Sequence, residues 1–134
     1  MSEIQQTISP VDGSVYVERP LATDAQIQQT MERARHAQAQ WKRVPIATRA
    51  AIVNRFVDAF VARKDKIADE ITRQMGRPIS QSPGEVRGFE ERARYMVSIA
   101  AGSLADIDAG PKQGFRRFIR REPAGTVLVL APWN

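Results

Sequence analysis

The run Thr126-Val127-Leu128-Val129-Leu130-Ala131 constrains the fold of this chain more than any other feature. It is apolar and β-forming throughout, with no alternation between apolar and polar residues. A strand with one solvated face alternates, because successive side chains point to opposite faces. A strand that reads apolar at every position is buried on both faces, as in a parallel sheet covered by helices. Parallel strands need long crossover connections, usually helical, so the run predicts an α/β architecture. It is also too short to cross a bilayer. The apolar stretch that starts at Val127 ends at Trp133, whereas a spanning helix needs about 20 apolar residues.

The preceding residues supply helices of the amphipathic kind. Thr23 followed three residues later by Gln26 reads as a capping box opening a helix from about Asp24 to Arg43. Ile27, Met31, Ala34, Ala37 and Trp41 share one face of it. Their spacing favours core packing for Trp41 over a ligand-stacking role. Pro45 separates this helix from a second helical region, about Ile46 to Met75. There Ile52, Phe56 and Phe60, with Val53, Val57 and Val61, build a broad apolar face. Gly76 and Pro78 end it. A third helix opens with Ser82 as N-cap, Pro83 at N1 and Glu85 closing a capping box. Val86, Phe89, Ala93, Met96, Val97 and Ala100 form its buried stripe. Near the N-terminus, residues 8–19 read as a hairpin turning at Pro10-Val11-Asp12-Gly13. Asp106 to Gly114 reads as a linker, and Phe115 to Glu122 as an arginine-rich strand.

Composition narrows the chemistry. Of the 134 residues 43% are hydrophobic and 26% charged, a globular balance that sets disorder aside. Met1 to Thr7 is polar and lacks the apolar region of a signal peptide, so the expectation is a soluble cytoplasmic protein without a membrane partner. With no cysteine and one histidine, these residues offer no disulfide, thiolate metal site or thiol nucleophile. His36 sits in a polar stretch and reads as a surface residue; no metal site is expected. The adjacent Glu90 and Glu91 face different sides of their helix and read as ion-pair partners of Arg92 and Arg94, not as an acid/base pair. The net charge of +5 invites nucleic acid as a partner, but the basic residues are interleaved with acids outside Lys112 to Arg121. No nucleic-acid binding is expected.

In a doubly wound sheet, ligands bind beyond the carboxyl ends of the strands. Pro132-Trp133-Asn134 occupies that place here. An asparagine after a strand is commonly a turn residue; its amide could equally donate to an oxyanion. Arg121-Glu122-Pro123-Ala124-Gly125-Thr126-Val127, running into Ala131-Pro132-Trp133-Asn134, resembles the aldehyde dehydrogenase superfamily, where an R-x-P-x-G-V segment leads to a P-W-N-[FY]-P loop. Weaker resemblances follow in the family's order: Ser9 to Gly13, Ala37 to Trp41, Pro45 with Arg49, Gly76-Arg77-Pro78 and Gly84-Glu85-Val86. Gln74-Met75 departs from the family's frequent Glu-Thr.

The resemblance implies a Rossmann-like, doubly wound α/β fold. Residues 1–112 would form the hairpin and helical part of the cofactor-binding domain. Residues 113–123 would begin the bridging, or oligomerisation, domain, and residues 124–134 would hold the first buried strand. It further implies oxidation of a small-molecule aldehyde to a carboxylate with NAD or NADP, through a cysteine thiohemiacetal, in a homo-oligomer, dimer or tetramer. Asn134 matches the asparagine that hydrogen-bonds the thiohemiacetal oxygen. Ala131, Pro132 and Trp133 match the strand end lining the nicotinamide side of the cofactor site. The family's nucleophilic cysteine, general-base glutamate and most cofactor-binding residues lie downstream of the position matched by Asn134. The expectation is therefore an N-terminal fragment, inactive alone. Two other classes compete with it: a non-catalytic piece docking on a partner subunit, and a basic helical nucleic-acid-binding module.

Overall fold

A computed structural model describes residues 3–130 of the chain. It opens with an antiparallel hairpin, β1 (Ile4–Ile8) and β2 (Val15–Pro20). The register runs from Ile4 opposite Pro20 to Ile8 opposite Val15, with an irregularity between Thr7 and Ile8. The expected turn is present within it, but the first strand starts earlier than residue 8. Gly13 adopts φ 75°, and its N–H donates to the Ser9 carbonyl at 2.8 Å. Asp12 closes the turn by accepting from the Ser14 N–H at 3.0 Å and hydroxyl at 2.7 Å.

Four helices follow: α1 (Asp24–Trp41), α2 (Ile46–Val61), α3 (Lys64–Met75) and α4 (Pro83–Ser103). The capping box of α1 is formed as read, with the Thr23 hydroxyl and Gln26 side chain each accepting the other's backbone N–H. The second helical region is two helices, because the chain breaks at Ala62-Arg63. Arg63 takes φ −103° and ψ 15° there, and its N–H turns back to the Phe60 carbonyl at 3.0 Å. Gly76 ends α3 in the left-handed region, φ 77°.

The start of α4 corrects the sequence reading. Helix α4 does follow Ser82, with Pro83 in the first turn, but Ser82 makes no side-chain cap. Ser82 is fully buried, in helical conformation at φ −55° and ψ −36°. Its hydroxyl lies 2.9 Å from that of Thr72 on α3 and 3.3 Å from the Pro78 carbonyl. Glu85, the other half of the expected box, pairs with Arg77 at 2.9 Å. Both groups hold the α3–α4 connection instead of the helix end.

Helices α2, α3 and α4 form the packed unit. Phe60 and Phe89 bring α2 and α4 together with centroids 4.5 Å apart, and Phe56 meets the Phe89 edge at 6.0 Å. Arg94 of α4 bonds Asp58 of α2 at 2.7 Å and Glu90 at 2.9 Å. The buried hydrophobic residues are Val57, Ala68 and Val86, one from each of these helices. Helix α1 buries none. Of the predicted core stripe Ile27, Met31, Ala34, Ala37 and Trp41, the large residues Ile27, Met31 and Trp41 are 48%, 42% and 41% exposed. That expectation fails in this structure, because no element covers the stripe.

A short ribbon follows, β3 (Ile107–Asp108) antiparallel to β4 (Phe118–Ile119). The expected linker thus contributes a strand, and the expected arginine-rich strand shrinks to two residues. Residues 126–130 form no strand and pair with nothing. Val127, Leu128, Val129 and Leu130 are 71–82% exposed. A parallel strand acquires its hydrogen bonds and its buried faces from neighbouring strands and crossover helices, and none flanks this run. Among the described residues, no helix is long and apolar enough to cross a membrane.

Candidate functional site

Ala131, Pro132, Trp133 and Asn134, the four residues singled out from sequence, lie outside the described residues. The described structure leads up to them. Gly125 has φ 126°, a conformation open to glycine and strained for a side chain. Thr126 lines a hollow of 510 Å³ with Ala34, Ala37, Gln38, Gln40, Trp41 and Val44 at the C-terminal end of α1. The residues entering the motif thus lie beside Trp41, and Val127 to Leu130 carry the chain onward exposed.

The other chemical groups have local roles. His36 is exposed, its Nε2 3.1 Å from the Gln40 amide nitrogen one turn away. Glu90 pairs with Arg94 as expected, and the two carboxylates flanking Arg94 raise its pKa, the Asp58 bond first. Glu91 and Arg92 join no ion pair among the described residues. At the hairpin, bonds from the Ser14 side chain and backbone lower the Asp12 pKa. Burial first, then the Glu70 carboxylate, raises that of Tyr16. Arg73 bonds Asp69 in two contacts of 3.0 and 3.1 Å. This polar seam between hairpin and α3, with Tyr16 and Glu70 half-buried and Asp12 and Asp69 exposed, joins its own members. Among the described residues, no cluster of three or more His, Cys, Asp or Glu could hold a metal ion.

The basic ribbon is occupied mainly with itself. The Arg117 guanidinium donates to the carbonyls of Ala109 at 3.1 Å and Gly110 at 3.2 Å, and Arg121 donates to that of Ser103. Arg116 and Arg120 stack on Phe118 at 5.1 and 5.2 Å, and Lys112 lies 5.1 Å from the Phe115 centroid. These contacts fasten a ribbon with two paired strand positions and one bridge, Lys112 to Phe115, nearer its turn. From sequence, this use of the arginines was hidden, because the pairing of β3 carried no apolar pattern long enough to read.

A common cradle for a dinucleotide pyrophosphate is a set of free backbone N–H groups at a helix start reached from a strand through a glycine-rich loop. Only α1 follows a strand, β2, among the described helices. Its start lacks such a loop, and Thr23 and Gln26 already cap each other at 2.9 and 3.3 Å. Among the described residues this helix start therefore offers no open pyrophosphate cradle.

Comparison with known proteins supplies what this geometry does not. The profile described as the aldehyde dehydrogenase family matches residues 1–134. The chain is similar to malonate-semialdehyde dehydrogenase 1 of Bacillus licheniformis, 29% identical over 136 residues, 99% of this chain and 28% of that protein. It is 30% identical over 131 residues to the NADP⁺ succinate-semialdehyde dehydrogenase of Mycobacterium avium, covering 96% of this chain and 28% of that protein. An indole-3-acetaldehyde dehydrogenase solved in apo form superposes with a TM-score of 0.73 at 29% identity, over 83% of this chain and 26% of that one. An NAD-dependent benzaldehyde dehydrogenase from Corynebacterium glutamicum, 24% identical, has the same fold over 84% of this chain and 24% of its own, with a TM-score of 0.73. The chain thus spans little more than a quarter of the length of the curated relatives it matches. With the family profile matched from first residue to last and the helical fold superposing on solved family members, the chain belongs to the aldehyde dehydrogenase family.

Proposed function

We propose that this chain is the N-terminal part of an enzyme that oxidises an aldehyde to a carboxylate with NAD or NADP, and that the 134 residues alone are inactive. The observation that carries the reading is the family match along the whole chain, which spans little more than a quarter of the relatives' length and includes the Ala131-Pro132-Trp133-Asn134 motif. In this reading, Asn134 donates its side-chain N–H to the oxygen that gains negative charge when a nucleophile adds to the aldehyde carbon. Ala131, Pro132 and Trp133 line the nicotinamide side of the cofactor site, and the bound cofactor supplies the hydride acceptor. The addition needs a thiolate, and the chain contains no cysteine. A serine or threonine hydroxyl would need an adjacent base to take that role, and the one histidine, His36, bonds only Gln40 among the described side chains.

The proposal includes the domain assignment. Residues 1–112 belong to the cofactor-binding domain, 113–123 begin the bridging strands and 124–134 form the first strand of the cofactor sheet once its neighbours are present. The exposed Val127 to Leu130 run supports that last assignment, because it offers a full apolar strand to a sheet. The enzyme is cytoplasmic and a homo-oligomer, dimer or tetramer, without a nucleic-acid or membrane partner.

The test compares purified 134-residue chain with a polypeptide that begins with it and extends over the relatives' full length. Both are assayed for NADH and NADPH formation with short aliphatic, aromatic and semialdehyde substrates. Aldehyde-dependent turnover by the long form and none by the short one is expected. Turnover by the short chain above a buffer blank contradicts its inactivity; an inactive but folded long form contradicts the assigned reaction.

A further inference from the structure

We draw no further inference here: the strongest candidate, the 290 Å³ apolar groove between α2 and α4 lined by Ile46, Val53, Met96, Val97 and Leu104, is an unpartnered helix face, and nothing in the structure shows what covers it.

Discussion

Gly76 connects three features that look separate in the sequence: the end of α3, the turn toward α4 and the tip of the hairpin. Its φ of 77° lies where a side chain is strained, and a Cβ there would meet Pro10 Cγ at 3.0 Å. The first restriction is local; the second is a docking contact between the hairpin loop and α3. Gly76→Ala should cost about 1–2 kcal/mol through the left-handed backbone alone. This corresponds to roughly 5- to 30-fold faster hydrogen exchange at the Gly76 amide, which bonds the Thr72 carbonyl at 2.9 Å. Adding Pro10→Gly should relieve the contact but leave the backbone penalty. Full restoration of protection by the second substitution would show that the clash, not φ, carries the cost. The role of Gly76 as a helix stop was legible from its place before Arg77-Pro78. Its contact with Pro10 was not, since the two lie 66 positions apart in the chain.

At the scale of elements, helices were readable because their signals are local, and the errors arose where a tertiary contact claimed a local signal. The α1 capping box formed because both partners lie within one turn and nothing else competes for them. Ser82 and Glu85 have the same spacing, but Thr72 and Arg77 take them. A double-mutant cycle on Ser82→Ala and Thr72→Val separates the two readings. The coupling between them should be about 0.5–1.5 kcal/mol, the net worth of a hydrogen bond. Exchange of amides in the first turns of α4 reports it. Additive effects within about 0.3 kcal/mol, with the loss confined to Ser82→Ala, would restore the capping role. The break at Ala62-Arg63 was missed for a related reason. Arg63 to Lys66 reads as a polar interruption on one continuing apolar face, and helical periodicity survives a tight turn of this kind. The pairing of β3 with β4 was missed because two-residue strands carry no period to detect.

For the molecule as a whole, the sequence conveyed the family's α/β pattern, yet its most decisive strand is the least structured part of the described chain. Val127 to Leu130 announce a buried strand, and in this chain they are among the most exposed apolar residues. Both facts have one cause: β-propensity and hydrophobicity belong to the segment, whereas burial belongs to neighbours that these residues do not supply. The same holds for the exposed stripe of α1. Fully burying each of the four apolar side chains would contribute about 1.5–3 kcal/mol. Without that burial the 134-residue chain should show helical circular dichroism, a broad and weakly cooperative thermal transition and self-association through the exposed run. Sedimentation and calorimetry check this; a monodisperse monomer with a sharp two-state transition would contradict it. The candidate site is read from sequence only as a motif, Pro132-Trp133-Asn134 after an apolar run, and those residues lie outside the described ones. A site at the end of a sheet strand takes its shape from the other strands and loops around it.

The most direct measurement is therefore made on Asn134 in the polypeptide extended over the relatives' full length. Steady-state kinetics and cofactor binding are compared between the unaltered enzyme and Asn134→Ala. Loss of one preorganised donor to the developing oxyanion should lower kcat by about 10²–10³, equivalent to about 2.7–4 kcal/mol. Thermal stability and NAD(P) affinity should change little, because the lost bond is made to the substrate oxygen. A kcat within a factor of about two of the unaltered enzyme, against that expected loss, would contradict the assignment and leave Asn134 a turn residue following a strand.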